Sequence, residues 1–302
     1  MEAKIAALDE PFRSHLREMI RKPPLTQEQQ VESFSRIEKA DFALRVQVNR
    51  FGSTARACLT FANELRKGRR RFEHFALPSK IESRERYMEE LPELCAELES
   101  ASNQCAAAYT IWVSRGQETR DSASTKEEFE KARDAVRRIF PRFCLRKAII
   151  ANFECEADLC CRQIRLLRDS AGKFDEQSAE SGVGNCECEE KIREIQMRVW
   201  MSPEECITES EKLKLWRKME QEAEAEITED NVRLVLSVAS EYTDRGLPFL
   251  DLIRSGNRAV IRAIENFDYN RGYRFASYAK WWIRQAVTQS IAEALAPRAS
   301  TG

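Results

Sequence analysis

Runs such as STKEEFEKARDAVRRIF, in which apolar residues return every three or four positions among charged ones, fill most of this chain and keep a helical period. Glycine and proline, the residues that would break such runs, occupy only 10 and 9 of 302 positions. No valine-rich alternating run with the two-residue period of a sheet interrupts them. The expected fold class is therefore all-α. Hydrophobic residues at 42% supply a core for one large or two modest domains.

Formal net charge is −1, which argues against a globally basic nucleic-acid binder. The distribution says more. No acidic residue lies between Asp268 and Glu293, whereas Arg271, Arg274, Lys280 and Arg284 do. The N-terminal stretch MEAKIAALDEPFRSHLREM is charged throughout, and no apolar run approaches membrane-spanning length, so a cytoplasmic protein is expected. In a reducing compartment the ten cysteines should be thiols. Cys155, Cys160, Cys161, Cys186 and Cys188 lie near one another in sequence, but no C-x-x-C pair occurs and the two histidines, His15 and His74, are remote. Neither a metal nor a cofactor is expected.

Along the chain, Pro23-Pro24 ends a short helix, and Thr26 with Gln29 reads as a capping box. Val31, Phe34, Ile37 and residues 40–42 then recur at helical spacing. Further helices are expected over 59–65 and 87–100, separated by Pro78 and Ser79, and the run quoted above stops at Pro141. The Gly-, Ser- and acid-rich piece near 169–188 predicts a mobile loop. Ser202-Pro203 reads as an N-cap followed by a first-turn proline. Three helices follow, over about 222–242, 248–266 and 277–295, with glycine-containing turns between them. The expected division is 1–75, a helical insert over 76–188, and a last block over 189–302.

The last helix carries the chemistry. At 100° per residue, Ile283, Ala286, Val287, Ser290, Ile291 and Ala294 share one side, a plausible core face. Tyr278, Trp281, Trp282, Gln285, Thr288 and Gln289 fall opposite. Aromatic rings stack on unpaired bases, neighbouring cations neutralise phosphates, and glutamine amides pair with adenine edges. That set fits a junction where duplex gives way to single strand. A competing reading buries both tryptophans against another helix, with blue-shifted and quencher-resistant fluorescence. Catalysis has little support: no phosphate-cradling loop and no nucleophile-histidine arrangement is present.

The stretch NVRLVLSVASEYTDRGLPFLDLIRSGNRAVIRAIENFDYNRGYRFASYAKWWIRQAVTQSIAEA resembles region 2 of the bacterial primary sigma factor family, the sigma-70 class. HLREMIRKPPLTQEQQ and the helix containing SRIEKA resemble its region 1.2, with the variable helical insert between. The resemblance implies a non-enzymatic subunit that binds core RNA polymerase through the clamp helices of the β′ subunit. It also implies recognition and melting of the promoter −10 element. By the matching motif, Tyr278 stacks on the adenine flipped from −11, Trp281 and Trp282 form the wedge that replaces it, and Gln285 and Thr288 read the −12 pair. Arg271, Tyr273, Arg274 and Phe275 match the stretch that holds the non-template strand. Asn231 and Leu234 match the pocket for a second flipped base near −7, and Leu16 and Arg17 match residues approaching the discriminator. Leu250, Asp251, Arg254, Ser255 and Asn257 match the polymerase-binding helix.

Two departures accompany the resemblance. Arg254 and Ser255 stand where the family usually has Gln-Glu, which implies a charge change of about two units at the polymerase interface and weaker binding to a typical core enzyme. The sequence ends at IAEALAPRASTG, where family members continue into regions 3 and 4, so no recognition of a −35 element is expected.

Overall fold

The computed structural model describes residues 10–114, 122–177 and 182–295. The fold is all-α: among the described residues there is no strand, only an antiparallel bridge between Ala76 and Leu145. In chain order the helices are α1 (Glu10–Arg21), α2 (Gln27–Val48), α3 (Gly52–Arg66), the single turn α4 (Phe72–Phe75), α5 (Arg84–Ser114) and α6 (Ser122–Ile139). They continue with α7 (Lys147–Gln177), α8 (Gly182–Val199), α9 (Pro203–Asp230), α10 (Val232–Glu241), α11 (Phe249–Asn266) and α12 (Phe275–Leu295).

The helix starts follow from local chemistry. Thr26 and Gln29 form the reciprocal box: Gln29 N donates to Thr26 Oγ1 (3.2 Å) and Thr26 N to Gln29 Oε1 (2.9 Å). Ser202 Oγ accepts from Glu205 N at 3.1 Å, with Pro203 at the first helical position. On α2, Phe34, Ile37 and Ala40 are buried, whereas Val31 and Phe42 are exposed.

Three expectations are corrected. Residues 169–177 and 182–188 belong to α7 and α8 rather than to a loop, and 178–181 lie outside the described residues. The helix expected over 222–242 breaks at Asn231, so that α9 and α10 are separate. The chain also divides differently. One unit, Asp41–Arg217, is contiguous; the other is assembled from Met1–Ala40 and Lys218–Gly302. The reason is packing rather than order in sequence. Leu16, Phe34 and Ile37 share a core with residues of α9 to α12, while Leu44, Val48 and Leu213 belong to the core of the contiguous unit.

In the contiguous unit, α5 packs on α6 and α3, and α7 on α8. Leu77 N donates to Cys144 O (2.8 Å) and Arg146 N to Phe75 O (3.0 Å), tying the turn after α4 to the start of α7. In the split unit α11 packs on α10 and α12. Gly256 makes this closeness possible, because a Cβ there would lie 2.7 Å from Val235 Cγ1 and 3.4 Å from Ile283 Cγ2.

Candidate nucleic-acid interface

The site belongs to the split unit and is built on the turn before α12. Gly272 adopts a left-handed conformation (φ 71°), reversing the chain between Phe267 and Phe275. Asp268 caps the turn by accepting from Asn270 N (3.2 Å) and Arg271 Nε (2.9 Å). Phe267 and Phe275 then fold back onto each other (5.1 Å between ring centroids), and each lies 5.1 Å from Phe34 of α2.

From this cluster a row of rings leads outward along α12. Phe267 contacts Tyr278 (5.3 Å), Tyr278 contacts Trp282 edge-on (6.2 Å), and Trp282 contacts Trp281 edge-on (5.3 Å, 86°). Trp281, at the end, is 59% exposed, and Tyr273 is 71% exposed. Trp282 is half-buried against the core, and its Nε1 is sealed from solvent without a hydrogen-bond partner among the described residues. Tyr278 is half-buried too, its hydroxyl donating to Asn266 O (3.3 Å). Of the two tryptophans expected to face outward, the structure therefore presents Trp281 and partly inserts Trp282. The core stripe of α12 is Phe275, Ala279, Ile283, Val287 and Ile291, whereas Ala294 is exposed.

The charges sort into two classes. Arg271 pairs with Asp268 (2.9 Å) and Arg284 with Glu241 (3.2 Å), so acids outside the local run temper its basic character. Arg274 and Lys280 are exposed and form no ion pair with a described residue. Gln285 is exposed; Thr288 is exposed with its hydroxyl turned back to Arg284 O and Gln285 O, both 2.9 Å. Beside Tyr273 and Arg274 a cleft of about 320 Å³ is lined by Leu25, Gln30, Phe34 and Phe267.

Several expected contact residues lie elsewhere. Phe275 is 1% exposed, a core ring that supports the face from behind. Leu16 is likewise in the core, whereas its neighbour Arg17 is exposed. Asn231 is buried with Nδ2 donated to Ile227 O (2.8 Å), and Leu234 is half-buried. On α11, Ser255 is 4% exposed with its Oγ 2.9 Å from Ser290 Oγ, so it belongs to the α11–α12 contact and not to an outer surface. Arg254 is exposed and pairs with Asp251 (3.1 Å); Leu250 and Asn257 are half-buried.

Other residues that shape the site had no role in the sequence reading. Asp230 accepts from Leu25 N (2.7 Å) and Gln30 Nε2 (2.8 Å), and Arg233 donates to Lys22 O (3.0 Å) and to Ile20 O, which pins the Pro23-Pro24 connection at the α9–α10 break. Tyr269 donates to Glu38 Oε2 (2.5 Å), a bond that raises its pKa above the ordinary tyrosine value. Phe267 and Phe275, flanking Gly272, were the available signal for the ring cluster. Among the described residues no group of three His, Cys, Asp or Glu is placed to hold a metal, and no helix is long and apolar enough to cross a membrane.

Residues 227–294, which span the break at Asn231, all of α10 and α11 and nearly all of α12, match the family model of Sigma-70 region 2. That match supports a member of the sigma-70 family, and with it a role in transcription initiation alongside RNA polymerase and promoter DNA.

Proposed function

We propose that the chain binds core RNA polymerase through α11, with the clamp helices of the β′ subunit as partner, and opens the promoter −10 element by capturing non-template bases on α12. The observation that carries this reading is the row of rings from the Phe34 cluster to exposed Trp281, flanked by Arg274 and Lys280, which have no ion-pair partner among the described residues. Each base stacked on such a ring contributes about 1–3 kcal/mol. Flipping a base costs a few kcal/mol, so capture by Trp281 and the half-buried edge of Tyr278 offsets the opening. In this reading Trp282 is the fixed backing of the wedge, and Gln285 faces the neighbouring pair. Arg274, Lys280 and Tyr273 hold the displaced strand, and Arg17 approaches the segment just downstream. Binding energy suffices throughout, and no catalytic step is invoked.

The test is fluorescence anisotropy of a labelled non-template −10 oligonucleotide titrated with core polymerase plus the chain, against an oligonucleotide whose −11 adenine is replaced. Binding that needs both proteins and collapses with the replacement supports base capture. Co-migration with polymerase without base dependence favours an interaction module that occupies polymerase without opening promoters.

A further inference from the structure

The contiguous unit contains a pair of thiols in unusual proximity. Cys161 on α7 and Cys206 on α9 face each other with Sγ atoms 2.8 Å apart, and Cys161 Sγ also lies 3.0 Å from Cys206 O. A disulfide bond length is about 2.0 Å, so a small side-chain adjustment separates contact from bond. Neighbouring Cys160, about 100° around the helix, engages a different group: Arg198 Nη2 of α8 donates to its sulfur at 3.3 Å. Cys161 and Cys206 are both buried, out of reach of a protein-sized oxidant, whereas Cys155 on the same helix is exposed.

We propose that Cys161 and Cys206 form a reversible redox modification site, oxidised to a disulfide by a small hydroperoxide and reduced by a dithiol. The two thiols are not equivalent. Hydrogen bonds from Cys206 and Ser210 lower the pKa of Cys161 below the ordinary thiol value, although burial opposes them. The bond to Cys161, with burial, pushes Cys206 far above it. We take Cys161 as the nucleophile. Its thiolate attacks the peroxide, forming an S–O bond and breaking O–O; the departing hydroxide takes the Cys206 proton and leaves as water. The Cys206 thiolate then attacks the sulfenic sulfur, forming S–S and expelling hydroxide, which combines with the proton Cys161 first released. Two thiols and one hydrogen peroxide give one disulfide and two waters.

The bond would staple α7 to α9 across the 45 residues that separate the two cysteines, a span that contains α8. The reduced full chain is exposed to hydrogen peroxide until exposed Cys155 is oxidised, then denatured, alkylated and mapped by mass spectrometry. The expected result is a peptide cross-linked at Cys161 and Cys206, removed by dithiothreitol. The oxidised chain should melt ~5–15 °C higher than the reduced one. Cys160→Ala should keep the cross-link and Cys161→Ala should abolish it. If either variant fails to fold, fragmentation of the wild-type cross-linked peptide still distinguishes Cys160 from Cys161. A bond through Cys160, or two freely alkylated thiols after Cys155 has reacted, overturns the proposal.

Discussion

Trp281 and Trp282 are adjacent in sequence and opposite in circumstance, and substitution should separate them. Trp281 is 59% exposed, so Trp281→Ala should leave the unfolding free energy from a urea melt within about 0.5 kcal/mol of wild type. Its loss should still weaken binding of the −10 oligonucleotide by about 1–3 kcal/mol, roughly 5–150-fold. Trp282→Ala removes a ring packed on the core and should cost about 2 kcal/mol of stability, roughly half the 3–5 kcal/mol of a fully buried aromatic. Paired urea melts and anisotropy titrations check both. If Trp281→Ala unfolds the chain or binds DNA normally, stacking on that ring is not the source of affinity. Phe275→Ala should show the opposite pattern, a loss of about 3–5 kcal/mol in stability that drags binding down with it.

Helix α11 shows how much a periodic pattern reveals and where it stops. Leu252, Ser255, Gly256, Ala259, Val260 and Ala263 follow a helical stripe, and all six are buried. Ser255 could thus have been placed inside from spacing alone; the family's acid at the matching position suggested a surface instead. Ser255→Glu should consequently force a carboxylate against Ser290 and destabilise by about 3–5 kcal/mol rather than tighten polymerase binding. Arg254→Gln is the informative exchange. Its exposed pair with Asp251 is worth about 0–1 kcal/mol, so the melt should hardly move while affinity for a typical core polymerase rises; unchanged affinity would remove Arg254 from the interface. Gly256→Ala should cost about 1–3 kcal/mol in a urea melt, because overpacking against Val235 exceeds the helix-propensity gain of alanine. The core stripe of α12 was legible for the same reason, as were the Thr26 and Ser202 caps, whose partners lie three residues away. Partial burial of Trp282 was not, since the Phe267 ring that backs it through Tyr278, one turn earlier on α12, arrives there across the left-handed turn at Gly272. Nor were the helical segments flanking 178–181, whose glycines and serines carry loop propensity that continuous α7 and α8 override.

At the scale of the whole molecule, the contiguous unit should be sensitive to alkali. In the contiguous unit, burial pushes the Cys105 thiol up from 9.0 and the Tyr109 hydroxyl up from 10.0, each to about 12, and raises Tyr87 further. The unfolded chain releases those protons at the ordinary values while the folded chain keeps them. This contribution to stability is therefore complete below pH about 9 and is lost as pH rises through about 12. Circular dichroism at 222 nm against pH should show helix loss in that window, shallower in Tyr109→Phe; a flat trace to pH about 12 would contradict it. Domain limits were hidden from a linear reading because the split unit takes Leu16, Phe34 and Ile37 from one end of the chain and α10 to α12 from the other. That arrangement has a consequence during synthesis. The ribosome makes residues 41–217 between the two halves of the split unit, so its first half waits for its partners. At about 5–20 residues per second the delay is roughly 10–35 s, during which Leu16, Phe34 and Ile37 lack the helices that cover them. The contiguous unit can finish folding in that interval, and the early segment is where a nascent-chain chaperone would have its opportunity to bind.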